Sequence, residues 1–555
     1  MERFTQRDLL MMILRNVIYS LVLMLTLTSG AQAQDAAPVK LATQARIDLW
    51  ADAEVGEIAG GTFLAGSGHF ERHNWRPAAE QSRGYTVFAP IVAHAWRSIE
   101  IEFTPKNSGK VEVALMGPWI EAAPKIRAKA EVDWVEVAGP QPLVWKGKPS
   151  QFLPSTNGTD LPAGTRILRA WHDERITTSI NARAGVPVRL SFKVKAVLPP
   201  GMVENTRITS QETPAHRALQ RFQKGANFGN WLEAPRGQDW GQHYTEADFI
   251  NAKKEGFDHI RLPIAWQHYT GDGPEFTIER NMWKTVDEMV DLAEKHGLRL
   301  LINIHHFDAF TTNPAAQKPK FLKIWEQLAK HYAARSDDLA FELLNEPKDA
   351  ATTDVLNPIY AETIALIRKM NPSRTLFIGP GQFNAVDQLP YLVLPANDTN
   401  LIVTVHSYDP FYFTHQATTF SSDDVKPLQG IQFPGPPDKP LAIPEGAKPY
   451  VKEWLERYNT LPTDQNPSSP KVLQSSVQRA KEWSDYYGRP IHYGEFGAYQ
   501  AADDVSRANY YREFRQSIEQ ANFGWALWDW KAGFHYWDKT KDMPAPGMHE
   551  ALFGK

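Results

Sequence analysis

Two glutamates stand out because each closes a short apolar run: Glu346 in "LAFELLNEP" and Glu495 in "PIHYGEF". A carboxylate at the end of an apolar strand is costly to bury unless it is paired or hydrogen-bonded. Two of them on different strands can flank one glycosidic bond. One would then protonate the leaving oxygen while the other attacks the anomeric carbon or activates water. Other run ends carry a matching polar set: Arg261 in "IRLP", His305 and His306 in "NIHH", Asn345 beside Glu346, His406 and Tyr408 in "VTVHSY", and Trp528 in "ALWDW". For one strand-end glutamate alone, an ion pair or a helix cap is the simpler role. The surrounding Arg, His, Asn, Tyr and Trp on other strand ends point instead to an active site. The same histidines and carboxylates have the donor types of a metal site. Adjacent strand residues point to opposite faces, however, so His305 and His306 are not expected to share an ion. No metal and no other cofactor is expected.

The elements that must position these groups are legible from residue 221 onward. Short apolar runs alternate with amphipathic helical stretches: "KGANFGNWL", "HIRLPIAW", "RLLINIHH", "LAFELLNEP", "TLFIGP", "LIVTVHSY", "PIHYGEF" and "GWALWDW" are the strand candidates. Helices are predicted over Thr245–Phe257, Thr277–His296, Pro319–Arg335, Asp354–Met370, Val472–Tyr487 and Asp504–Gln520. Eight β-then-α units predict a (β/α)8 barrel over 219–555, with reactive residues at the C-terminal strand ends. A doubly wound open sheet also alternates, but Gly225 and Gly229 do not form a G-x-G-x-x-G phosphate turn. A Pro- and Gly-rich insertion at 421–469 interrupts the sixth unit, and a loop of that length on the catalytic face is expected to be functional.

Upstream, residues 35–200 read mostly with period two, as in "IEIEFTP", "KVEVALMG", "KAEVDWVEVAG" and "VRLSFKVKAVLPP", which predicts an antiparallel β-sandwich-like accessory domain. Residues 201–218 read as a linker. A carbohydrate-binding role for the first domain would use Trp96, Trp119, Trp134, Trp145 or Trp171, and packing against the barrel is the competing role. Residues 1–33 carry Arg3, Arg7 and Arg15, then the apolar run Val17 to Thr28, then Ala31-Gln32-Ala33. That order reads as a signal peptide, the run being shorter than the roughly 20 residues that span a bilayer. Secreted or periplasmic location is expected, without membrane contact after cleavage. With 60 basic against 64 acidic residues and no long basic run, nucleic acid is not an expected partner. The chain has no cysteine, which excludes disulfides, thiolate metal sites and a cysteine nucleophile. A monomer is expected.

Taken together, "IRLP", "NIHH", "LLNEP", "HSY", "HYGEFG" and "ALWDW" occur in the order of glycoside hydrolase family 5, and residues Lys224 to Asp538 resemble its cellulase-type members. The resemblance implies a retaining mechanism with Glu346 as acid/base and Glu495 as nucleophile. It also implies Arg261 beside the nucleophile keeping it ionised, and Asn345 on the 2-hydroxyl of the sugar being cleaved. His406 would sit near the acid/base, Tyr408 would donate to the nucleophile, His305 and His306 would line the glycone subsite, and Trp528 would form its floor. Asn227, Trp231 and Glu233 would lie near the cleft, with Trp231, Trp240 and Trp266 as sugar platforms or core. The implied activity is endo-β-1,4-glucanase on a β-linked polysaccharide. The alternatives are β-mannanase, xyloglucanase, exo-β-1,3-glucanase or a non-catalytic carbohydrate-binding barrel. The insertion at 421–469 departs from the pattern and could narrow the cleft toward exo action.

Overall fold

The structure, a computed structural model, describes residues 44–554 apart from short segments before residue 212, the longest being 117–128 and 153–166. The leader expected at 1–33, Trp119, Trp171 and part of the linker lie outside the described residues. Among the described residues no helix is long and apolar enough to cross a membrane.

Among the described residues the N-terminal part contains ten strands: β1 (Gln44–Ala51), β2 (Ile58–Ala65), β3 (His69–His73), β4 (Arg83–Pro90), β5 (Arg97–Pro105), β6 (Gly109–Met116), β7 (Lys129–Ala138), β8 (Ile167–Ala170), β9 (Ile176–Ala182) and β10 (Val188–Val197). They form two five-stranded antiparallel sheets in the orders β3-β4-β1-β6-β9 and β2-β5-β10-β7-β8. The period of two is visible in β5, where Ile99, Ile101 and Phe103 are buried while Glu100 and Glu102 keep contact with solvent. Trp145 is buried, which assigns it to packing rather than to an exposed sugar platform. The Trp96 ring carries the Lys195 ammonium 5.8 Å from its centroid.

The C-terminal part is a closed barrel of eight parallel strands in sequence order: β11 (Lys224–Asn227), β12 (His259–Leu262), β13 (Arg299–Asn303), β14 (Leu339–Glu342), β15 (Leu376–Ile378), β16 (Leu401–His406), β17 (Ile491–Glu495) and β18 (Gly524–Leu527). Nearly every strand residue is buried, since one face meets the lumen and the other the helices. Helices fall close to the predicted positions, Asp504–Gln520 coinciding with its prediction. The third begins earlier than predicted, at Pro314, where the Asn313 side chain accepts from the Ala316 amide. Pro319 suggests a first turn because proline is favoured there, but it lies inside this helix. No long helix follows β15, and the last helix is the short Met548–Phe553.

Two regions differ from the sequence reading. The stretch read as linker includes the helix Pro214–Leu219, capped by Thr213. Its Ala215, Ala218 and Leu219, with Phe222, pack on Leu301, Ala340, Phe377 and Ile402 and plug the lower end of the lumen. The 421–469 insertion is a packed structure rather than a free loop. It contains the helix Pro449–Thr460 and buries Val425, Leu428, Ile431, Phe433 and Tyr458 in the main core. Only its leading edge, Ser421 and Ser422 next to Phe420, reaches the cleft above the strand ends.

The Phe222 ring touches those of His259 and Phe377 edge-on, at 5.3 and 5.4 Å. Phe222→Ala is expected to destabilise the barrel by about 3–5 kcal/mol, by lost burial plus a residual cavity, measured by chemical denaturation. A loss under about 1 kcal/mol would mean that the plug contributes little.

Candidate active site

Arg261 projects from β12 into the lumen and is wholly buried. Its Nε and Nη2 donate to the two oxygens of Glu342 on β14, at 2.6 and 2.8 Å. Nη1 donates to Glu495 Oε1 at 2.8 Å and to Asn227 Oδ1 at 2.7 Å, and Nη2 also donates to Asn345 Oδ1 at 2.6 Å. All the N–H groups of the guanidinium are thereby used. Burial works against its charge, but Glu342 and Glu495 outweigh that and raise its pKa above the ordinary value.

Glu495 closes β17, and its second oxygen accepts from the Tyr408 hydroxyl at 2.8 Å. Burial pushes this carboxyl upward, while His406, Arg261 and the Tyr408 hydroxyl pull it down. The pull from Arg261 is therefore present, but the balance lies above the ordinary carboxylate value rather than below it.

Glu346 lies past the end of β14, with a backbone φ of 42° that folds its side chain back toward the axis. Such a left-handed residue costs about 1–2 kcal/mol, and it lets Asn345 and Glu346 serve the same site although they are neighbours in sequence. Burial lifts the Glu346 carboxyl to about 7, with Arg261 and Lys348 opposing and Glu342 reinforcing the shift. His406 Nδ1 lies 2.8 Å from Glu346 Oε1. Burial lowers the His406 pKa to about 4, so the ring is neutral at pH 7. One oxygen each of Glu346 and Glu495 and one nitrogen of His406 lie within 4.8 Å of one another. These three groups have the spacing of metal ligands, but Arg261, Tyr408 and His406 already occupy both oxygens of Glu495 and Oε1 of Glu346.

The site opens into a cleft of about 1410 Å³ lined by His305, His306, Glu346, His406, Tyr408, Glu495 and Trp528, among others. Trp528 and His305 are parallel, 5.9 Å apart with 8° between their planes. Gly229 makes room for the indole, since a Cβ there would lie 2.6 Å from it. His306 also has a positive φ, 49°, so both histidines reach the cleft in spite of strand alternation. Trp240 is 41% exposed at one end of the cleft, beside His306.

Four of the expected positions do not line the cleft. Trp266 is core: it is fully buried, packs on Trp283, and its indole N–H donates to the Asn303 carbonyl. Trp231 packs partly buried on the same core and does not line the cleft. Asn227 lies beneath the cleft and holds Arg261 and the carbonyls of Gly494 and Leu527. Glu233 is likewise buried, accepting from the Asn230 and Trp231 amides.

Two residues of the site escape the sequence reading. Glu342 is the main partner of Arg261, and its signal is a carboxylate in phase with Ala340, which faces the lumen. Asn384, 3.3 Å from His406 Nε2, follows β15, a strand whose apolar run ends in no charged group.

Residues 221–533 match the family model described as cellulase, glycosyl hydrolase family 5. The chain belongs to that family. It is 27% identical over 313 residues to Endoglucanase H of Acetivibrio thermocellus, covering 56% of this chain but 30% of that one. Endoglucanase C of the same organism is 26% identical over 322 residues, 56% of this chain and 91% of the relative. Among solved structures, endoglucanase Cel5A of Thermotoga maritima is 31% identical with a TM-score of 0.54, over 62% of this chain and all of the neighbour. That enzyme has also been solved with cellobiose and with mannotriose. The cellulose synthase subunit Z of Clostridioides difficile is 30% identical with a TM-score of 0.52, over 60% and 99% of the two chains. These matches place the family in the barrel; the N-terminal sheets lie outside the family model.

Glu342→Gln would set an amide N–H against the donors of Arg261 and remove a buried counter-charge. A loss of about 3–5 kcal/mol is expected, read from denaturant unfolding, together with a loss of kcat/KM. Unchanged stability would mean that Glu495 and the two asparagines suffice for the cation.

Proposed function

We propose that this family 5 glycoside hydrolase is a retaining endo-β-1,4-glucanase acting by double displacement. The observation that carries the mechanism is the approach of Glu346 and Glu495 oxygens to within 4.8 Å. Retaining enzymes keep their carboxyl groups about 5–5.5 Å apart, whereas inverting ones need roughly 6.5–9.5 Å to seat a water. Glu495, ion-paired to Arg261 and bonded by Tyr408, is oriented as the nucleophile. Glu346 is the proton donor in the first step and the base in the second. Its carboxyl, raised to about 7, can hold the proton near neutral pH and lose it once the charge on Glu495 is consumed in the glycosyl ester. Asn345 Nδ2 is buried without a partner and is suited to the 2-hydroxyl of the sugar in the cleft. Trp528, flanked by His305 and His306, is suited to the glycone ring.

The substrate assignment draws support from the relatives named as endoglucanases. The open cleft adds to it, because the 421–469 insertion is folded against the barrel and only its edge reaches the groove. Residues 35–200 are read as an accessory domain and residues 1–33 as an export leader, which would place the enzyme in the periplasm or outside the cell; a monomer is the expected state.

Glu495→Gln is expected to lower turnover of an aryl β-cellobioside by several orders of magnitude with the fold retained; a near-normal rate would overturn the assignment. Because Glu346 must be protonated to act as the acid, kcat/KM on an unactivated substrate should fall about tenfold per pH unit above about 7. Full activity should persist in excess EDTA, and its loss would favour a metal at Glu346, His406 and Glu495. A product profile on cellulose, mixed-linkage glucan, xyloglucan and mannan tests the substrate. Mixed oligosaccharides from cellulose support the proposal; release from mannan alone would overturn it.

A further inference from the structure

The turn after β15 has an uncommon backbone. Gln382, Phe383 and Asn384 all have positive φ, of 52°, 62° and 55°, without a glycine among them. Three neighbours hold them there. The Gly381 amide donates to Thr353 Oγ1 at 2.9 Å, the Phe383 amide donates to the Pro347 carbonyl at 3.0 Å, and a Cβ at Gly379 would lie 2.6 Å from the Asn384 side chain. The turn delivers the fully buried Asn384 amide to the back of the His406 ring, with Nδ2 at 3.3 Å from Nε2. On the other side of the ring a Cβ at Gly494 would come within 2.8 Å of Nε2, so the imidazole is confined in plane and position.

A neutral imidazole has one N–H, and which nitrogen carries it is set by what the other nitrogen meets. An amide N–H at Nε2 requires a bare Nε2 and places the hydrogen on Nδ1, where it faces Glu346 Oε1 at 2.8 Å. The opposite tautomer would set a lone pair against an ionised carboxylate. The titratable groups that face Glu346 and His406 include Arg261, His305, Glu342, Lys348, Tyr408, His492 and Glu495, and none of them bonds to Nε2.

We propose that Asn384 is a positioning residue: by fixing His406 with its hydrogen on Nδ1, it occupies Glu346 Oε1 and confines the acid proton to Oε2. This rests on the reading of Glu346 as acid/base. In the first step the Oε2 proton passes to the glycosidic oxygen as its bond to the anomeric carbon breaks and Glu495 bonds to that carbon. Asn384, which does not line the cleft although Gln382 and Phe383 of the same turn do, thus acts on leaving-group departure without touching the substrate.

The test measures kcat/KM, which reports the first step, on two aryl β-cellobiosides. A 2,4-dinitrophenolate leaves without a proton, whereas an unactivated phenolate needs one. Asn384→Ala and Asn384→Asp in the full chain are expected to lose about tenfold or more on the second substrate and less than about threefold on the first. An ionised aspartate demands an N–H on Nε2, so it either reverses the neutral tautomer or charges the ring, and both alter proton delivery from Glu346, while it tolerates the left-handed backbone; it decides the question if the alanine variant does not fold. Equal losses on both substrates, or no loss on either, overturn the proposal. Glu346→Ala is the control. If it shows no leaving-group dependence, the acid/base reading itself fails; if it does and the Asn384 variants do not, only the role of Asn384 fails.

Discussion

A buried guanidinium organises this barrel. Arg261 lies in the lumen with no access to water, and a cation there is tolerable only if every N–H has a partner and the charge is balanced. Those partners come from β11, β14, β17 and Asn345 just past β14, so one side chain ties together a large part of the strand-end circle. The same requirement separates the two glutamates. Glu495 is held directly by Arg261, whereas Glu346 is bonded through neutral His406 and has the cation only at a distance. Identical side chains a few ångströms apart thereby meet different partners.

The second constraint concerns the rim. Along a strand, successive side chains alternate, so only every other residue faces the axis. A site that uses neighbouring residues must break the alternation. Left-handed backbone at His306 and Glu346 does so, and the run at Gln382, Phe383 and Asn384 extends the same device to the strand without a charged end. Below the rim, Ala215, Ala218, Leu219 and Phe222 pack on Leu301, Ala340, Phe377 and Ile402, with the paired His259 and His492 against the two phenylalanines.

The 421–469 insertion follows the same logic from the outside. Its proline and glycine content resembles that of an open loop, yet Val425, Leu428, Ile431, Phe433 and Tyr458 anchor it in the core. It lengthens the wall of the cleft at Phe420 to Ser422 without covering it.

By itself the sequence determined the alternation of eight strands and their helices, because that pattern is local: apolar runs of strand length, amphipathic runs of helix length, and the breaks between them. It also determined the set of polar groups at the strand ends, since the ends of apolar runs can be read directly. Tertiary structure decided everything that depends on which way a side chain turns or what lies across the lumen. Trp266 and Trp240 look equivalent in sequence, but one is enclosed by Trp283 and the other stands at the cleft. Glu342 reads as an ordinary strand residue until β12 brings Arg261 opposite it, and Asn384 has no meaning apart from the His406 ring. The helix Pro214–Leu219 reads as linker because it is too short for amphipathic periodicity to show, and only the open end of the barrel gives its apolar face something to bury against.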